Sequence, residues 1–165
     1  MRDDARFPRF VAETLSGSTL VLPDSLGDRL AVVALAFRRH AQPIVDSWLI
    51  PVSKHYADSV DVEWYEIPML AGGWRMVSGF IDGGMRSGIR PEHHDHVATC
   101  YGDLARVQNA LEVHDLDSAY VYLVTGEGRV LWSSVGWAHQ RRLDQLFETA
   151  DNALKAFERP DSLDE

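Results

Sequence analysis

The hydrophobic pattern along the chain predicts strands alternating with helices. "LAVVALAF" (30–37) is apolar at every position. A run without a polar face predicts a central strand covered on both sides. From Pro43 the period changes, and apolar residues fall at Ile44, Trp48, Leu49, Val52 and Tyr56. That is helical spacing. Pro43 suits a first helical turn, where its missing N–H is not needed. Pro51 lies inside the pattern and predicts a kink or a break. "VDVEWYEI" (60–67) alternates and predicts a strand. Trp74, Val77, Phe80, Ile81 and Met85 predict a further helix, weakened by Gly79, Gly83 and Gly84.

"HVATCYG" (96–102) predicts a short strand, and Asp103 then caps a helix through Leu104, Val107 and Leu111. "AYVYLV" (119–124), "TGEG" (125–128) and "RVLWSSV" (129–135) form the strongest hairpin signal in the chain. Leu143, Leu146, Phe147, Ala150, Leu154 and Phe157 mark a closing amphipathic helix. Near the start, "GSTLVLPDSLGD" (17–28) predicts a short strand and a turn. Residues 1–13 carry alternating charges and read as an N-terminal arm across the surface. Residues 160–165 read as a frayed tail. With no repeat or linker, residues 1–165 form one domain. This order predicts an α/β fold with a mixed central sheet of about five strands and helices on both faces.

Composition narrows the partners. Sixteen Lys and Arg against 25 Asp and Glu give a net charge of −9, which opposes binding to nucleic acid and anionic lipid. Cys100 is the single cysteine, so no intrachain disulfide or dithiol pair can form. A single cysteine fits a reducing compartment. Met1-Arg2-Asp3-Asp4 lacks signal-peptide or transit-peptide character. No stretch has the length of a membrane span. The expectation is a cytoplasmic protein without an integral membrane segment.

The element order resembles the thioredoxin-like three-layer sandwich. "LPDSLGDRLAVVALAFRRHAQP" is similar to the opening of redoxin-type members, where an apolar strand leads into a W-C-x-P-C turn. In that match His40 takes the Trp place, Ala41 the first Cys, Gln42 the variable position, Pro43 the Pro and Ile44 the second Cys. A closer likeness is to the thioredoxin-like assembly factors of the mitochondrial F-type ATP synthase. It is carried by Phe37-Arg38, Gln42, Val45-Asp46-Ser47-Trp48 and Pro51, then by Met85-Arg86, Pro91 to His94, and Tyr101-Gly102. Tyr120 to Val124, Gly128-Arg129 with Trp132, and Gly136-Trp137-Ala138 complete it. Thr125 stands where that family usually has Asp. The resemblance spans roughly residues 15–155 and implies a chaperone-like assembly role toward a membrane-complex subunit.

Thioredoxin chemistry needs a thiolate at a helix start, where the local positive field lowers its pKa. Ala41 supplies no nucleophile and Ile44 no resolving thiol. Leu116-Asp117-Ser118-Ala119 also lacks the proline that redox-active members place before the hairpin strand. The leading expectation is therefore a redox-inactive binding module with no catalytic residues and no cofactor.

Two alternatives remain. Cys100 could serve a redoxin-type thiol enzyme, although its strand-like setting reads as core. His93, His94 and His96, with Cys100, offer metal-ligand chemistry, although no spaced second ligand pair accompanies them. Without that pair the segment reads as a polar loop. Arg38, Arg39 and His40 fall where α/β sheets bind ligands, at the C-terminal end of the central strand. Read plainly they are a solvated basic turn. Beside a helix start they could also hold an anion or a partner's carboxylate. Arg38, Arg39, His40, Gln42 and Asp46 are thus the candidate contacts for a protein partner. Trp48 reads as core at its spacing.

Overall fold

A computed structural model describes residues 5–71, 91–102 and 104–158. The helix expected from Trp74 to Met85, the Met85-Arg86 pair, the Asp103 cap and the tail from 160 lie outside the described residues. The strands are β1 (Phe10–Thr14), β2 (Thr19–Leu22), β3 (Leu30–Ala36), β4 (Val62–Leu70), β5 (Ala98–Tyr101), β6 (Ala119–Thr125) and β7 (Val130–Val135). The helices are α1 (Gln42–His55), α2 (Leu104–Ala110) and α3 (Gln140–Phe157).

Among the described residues the seven strands form one sheet, in the order β2-β1-β5-β4-β3-β6-β7. β3 is central. It pairs in parallel with β4 from Leu30↔Val62 to Ala36↔Pro68, and antiparallel with β6 from Leu30↔Thr125 to Ala36↔Ala119. Every β3 residue except the last is buried, as its unbroken apolar run requires. Val32 and Ala34 face Val45, Trp48 and Val52 of α1 and Leu143 and Leu146 of α3. Ala31, Val33 and Leu35 belong to the opposite core, with Phe7, Phe10, Leu22 and Val107. Helices thus lie on both faces.

Among the described residues the sheet has seven strands, not about five. Part of the excess lies in the segment expected to be a surface arm. Phe7 N–H donates to the Gly128 carbonyl and Val130 N–H to the Ala5 carbonyl, so the chain enters beside the start of β7. Three residues after Phe7 it begins β1, which pairs with β2 and β5. Crossing between these places lays Phe7 and Phe10 over the sheet, with the Phe7 ring 5.7 Å from Tyr122. The neighbouring Arg6 and Arg9 mask this contribution in the local pattern, although two aromatic side chains carry a large apolar area into the core.

Pro51 neither ends nor divides α1, which runs on to His55. It removes only the N–H that would reach the Ser47 carbonyl. Trp48, Leu49 and Val52, buried on either side of it, hold the helix to the sheet.

The two sheet edges carry side chains on outward-facing backbone groups. Gly136 N–H donates to the Ala119 carbonyl, which makes 119 and 136 a hydrogen-bonded pair. Alternation then turns the Ser133 carbonyl away from β6, and Arg142 Nη2 donates to it at 2.7 Å. On the other edge Thr14 N–H bonds the Ser18 carbonyl, so the Val21 N–H points outward. It donates to Ser25 Oγ at 2.9 Å.

Candidate functional site

The C-terminal end of β3 delivers Arg38 in extended conformation, then a single 3-10 turn over Arg39–Ala41, then Gln42 at the start of α1. Ala41 is fully buried, while Arg38, Arg39 and His40 are exposed. The turn thus buries its small residue and presents its two arginines and its histidine.

Asp117, on the loop before β6, closes over this turn. Arg38 Nη1 lies 2.6 Å and His40 Nε2 2.8 Å from the same oxygen, Asp117 Oδ1. Hydrogen bonds from Arg38 first, and His40 second, hold the Asp117 carboxyl below its ordinary range. Arg39 makes no ion pair among the described residues.

Gln42 ties the helix start to the sheet. Its Nε2 donates to Asp46 Oδ1 at 2.9 Å and also to Glu66 Oε1 on β4. Glu66 is only 6% exposed. Burial pushes its carboxyl above the ordinary 4.5; the Gln42 hydrogen bond opposes the rise, and the charge of Asp46 adds to it. The site therefore contains a buried carboxyl with one amide donor to satisfy it. The sequence held a signal for this residue. Val62, Trp64 and Glu66 occupy alternate positions of one strand, so Glu66 shares the buried face of the first two.

The adjoining face of α1 is fastened to the segment after β7. Ser47 Oγ accepts from Ala138 N–H at 3.0 Å. The indole N–H of Trp48 donates to the Gly136 carbonyl at 2.7 Å, and its ring meets Trp132 edge-on at 5.5 Å. Gly136 has φ +87°, a conformation other residues adopt only with strain. Between these anchors Trp137 stands 61% exposed. Two stretches far apart in sequence, Gln42 to Trp48 and Gly136 to Ala138, are thus one construction.

The remaining candidates lie elsewhere. Cys100 is buried on β5, in the core on the side of the sheet away from α1. No thiol accompanies Ala41 and Ile44. Pro91–His96 form a 3-10 turn in which the His96 ring stacks on Trp64 at 4.0 Å. His96 Nδ1 lies 2.8 Å from the Trp64 carbonyl oxygen. His93 meets the same indole edge-on at 5.2 Å. Among the described residues no three His, Cys, Asp or Glu side chains are placed to share a metal ion.

These placements set an expectation for Cys100. Thiol reagents should label it slowly in the folded protein and quickly after denaturation, since burial blocks access. Time-resolved labelling followed by mass spectrometry checks this; full modification of the folded chain within minutes would contradict it.

A strand-turn-helix at the centre of a mixed sheet, followed by a β-hairpin and a helix, makes the fold thioredoxin-like, with a single cysteine and so no CxxC pair. Residues 2–152 match the model of the family described as ATP10 protein, and the chain belongs to that family of ATP synthase assembly factors. Comparison with curated proteins gives no match.

Solved structures share the fold. The thioredoxin domain of a thiol-disulfide oxidoreductase from Bacteroides vulgatus has a TM-score of 0.59 at 12% identity, covering 90% of this chain and 96% of that one. BsSco, a member of the Sco family of cytochrome c oxidase assembly proteins, has a TM-score of 0.62 at 13% identity, covering 92% and 95%. A protein from Sinorhizobium meliloti has a TM-score of 0.62 at 14% identity, covering 94% and 86%. At these identities the likeness speaks for the fold alone.

Proposed function

We propose that the chain is a redox-inactive, chaperone-like assembly module that holds a protein partner at the Arg38–Gln42 turn and the start of α1. One observation carries this reading. The helix start that houses the thiol pair in redox-active relatives of the fold is built here from Ala41 and Ile44, yet the turn remains exposed, cationic and held by Asp117 and Glu66. The architecture of a substrate-facing site is kept while its nucleophile is missing. Family membership supports a protein partner, and a subunit of a membrane complex fits that membership. Among the described residues no helix is long and apolar enough to cross a membrane.

Affinity capture from the native cell, read by mass spectrometry, tests the reading. Reversing charge with Arg38→Glu plus Arg39→Glu should abolish partner recovery with little change in the thermal midpoint, because both side chains are exposed. Undiminished recovery by a folded double variant would move the contact elsewhere.

A separate expectation concerns chemistry. Insulin reduction and peroxide consumption, assayed with a recycling thiol, should stay at background. Turnover that disappears in Cys100→Ser would instead establish a thiol enzyme.

A further inference from the structure

We propose that Asp117 is a built-in occupant of a carboxylate site on the Arg38–His40 turn, and that an acidic segment of the partner docks by displacing it. This rests on reading the turn as the partner contact, and it adds the chemistry of what is bound.

Arg38 and His40 lie two residues apart, and both reach one oxygen of a carboxylate contributed from far along the chain. Two donors converging on one oxygen define a seat for a carboxylate, and Asp117 shows that the seat accepts one. Asp117 is presented by a local turn in which its own N–H donates to Asp115 Oδ1 at 2.9 Å. The contact is nevertheless easy to exchange. The Arg38, His40 and Asp117 side chains are 52%, 62% and 57% exposed. Ion pairs in that setting are weak and screened by salt.

An incoming acidic segment has an advantage that Asp117 lacks. It can also meet Arg39, which is exposed and has no ion pair among the described residues. In a chain of net charge −9, this cationic turn favours the approach of an acidic segment here. Asp46, one turn into α1 and hydrogen-bonded by Gln42, adds a negative charge near the helix start. A phosphate dianion would feel that charge more than a carboxylate monoanion.

A purely structural role for Asp117 has the opposite sign. If Asp117 only staples its loop to the turn, removing its charge should loosen the site and weaken binding. If it competes with the partner, removing its charge should strengthen binding.

The test uses the full chain and an end-blocked tetraglutamate peptide at low ionic strength, with tetralysine as the control and inorganic phosphate as a second arm. Asp117→Asn should bind tetraglutamate about threefold or more tighter than the unaltered chain by calorimetry. Arg38→Gln in the same background should remove that binding. Equal or weaker binding by Asp117→Asn overturns the proposal. Phosphate bound as tightly as tetraglutamate overturns the carboxylate assignment.

Nuclear magnetic resonance on the unaltered chain gives a readout independent of the variant's folding. Saturating tetraglutamate should shift both the His40 ring and the Asp117 carboxyl carbon. A moving His40 beside a fixed Asp117 rules displacement out. Partner capture separates the two levels of the argument. Recovery that ignores the Arg38 and Arg39 reversal removes the docking site itself. Recovery that needs the arginines but gains nothing from Asp117→Asn overturns only the displacement.

Discussion

Trp48→Ala should lower the unfolding free energy by about 4 kcal/mol, near the top of the range for single core substitutions. The indole is fully buried between α1 and the sheet, so truncation leaves a large cavity. It also removes the donor to the Gly136 carbonyl and the edge-on partner of Trp132. Both losses fall on the segment that fastens the start of α1, so the turn at Arg38–Gln42 should loosen as well. Trp48→Phe keeps most of the packing and loses the hydrogen bond, and should cost about half as much. Urea denaturation of the three proteins measures this. A loss below about 1 kcal/mol in Trp48→Ala would mean that other contacts fasten that segment.

Gln42→Leu should cost about 2 kcal/mol at neutral pH, because it strips a buried carboxylate of its amide donor. The pH dependence identifies the carboxylate concerned. Glu66 has its folded pKa raised above the ordinary 4.5, chiefly by burial. The folded state therefore holds this proton more tightly than the unfolded state. Its contribution to stability is fully present below the unfolded value and is lost as pH rises through the raised folded value. Glu66→Gln removes the ionisation while leaving a carbonyl for Gln42 to meet. That variant should be more stable than the unaltered chain at neutral pH, with the advantage shrinking toward pH 4. Denaturation midpoints across that range decide the matter. A constant difference between the two proteins would show that Glu66 does not titrate within it.

The central elements were legible because their periods are clean. "LAVVALAF" lacks a polar face, as expected of a strand buried on both sides, and "TGEG" between two β-rich runs is a strong hairpin signal. The first strand was less legible. Phe7 and Phe10 sit beside Arg6, Pro8 and Arg9, and their burial depends on the far side of a sheet that local pattern does not reveal. The site was legible in outline and not in its closures. Residues 38–46 were visible as a turn and a helix start. Asp117 and Glu66 were not, since each reaches the turn from another strand or loop. Glu66 had left a trace, as an acid on the buried side of an alternating run. Asp117 had left none, because an exposed acid in a loop looks like any other.

Arg142 on the Ser133 carbonyl and Ser25 on the Val21 N–H bear on how this protein keeps company. Open sheet edges invite chains to add as extra strands, in crowded folding mixtures above all. Here the row of available groups is broken at both ends of the sheet, and Ala5–Phe7 already lies along the beginning of β7. Along the described strands, an added extended segment would meet an edge interrupted at these points. In the proposed assembly role, selection of a partner would then fall to side chains, where charge and shape can discriminate, rather than to backbone, which every polypeptide shares. The same interruption discourages the protein from polymerising through its own edges when many copies accumulate.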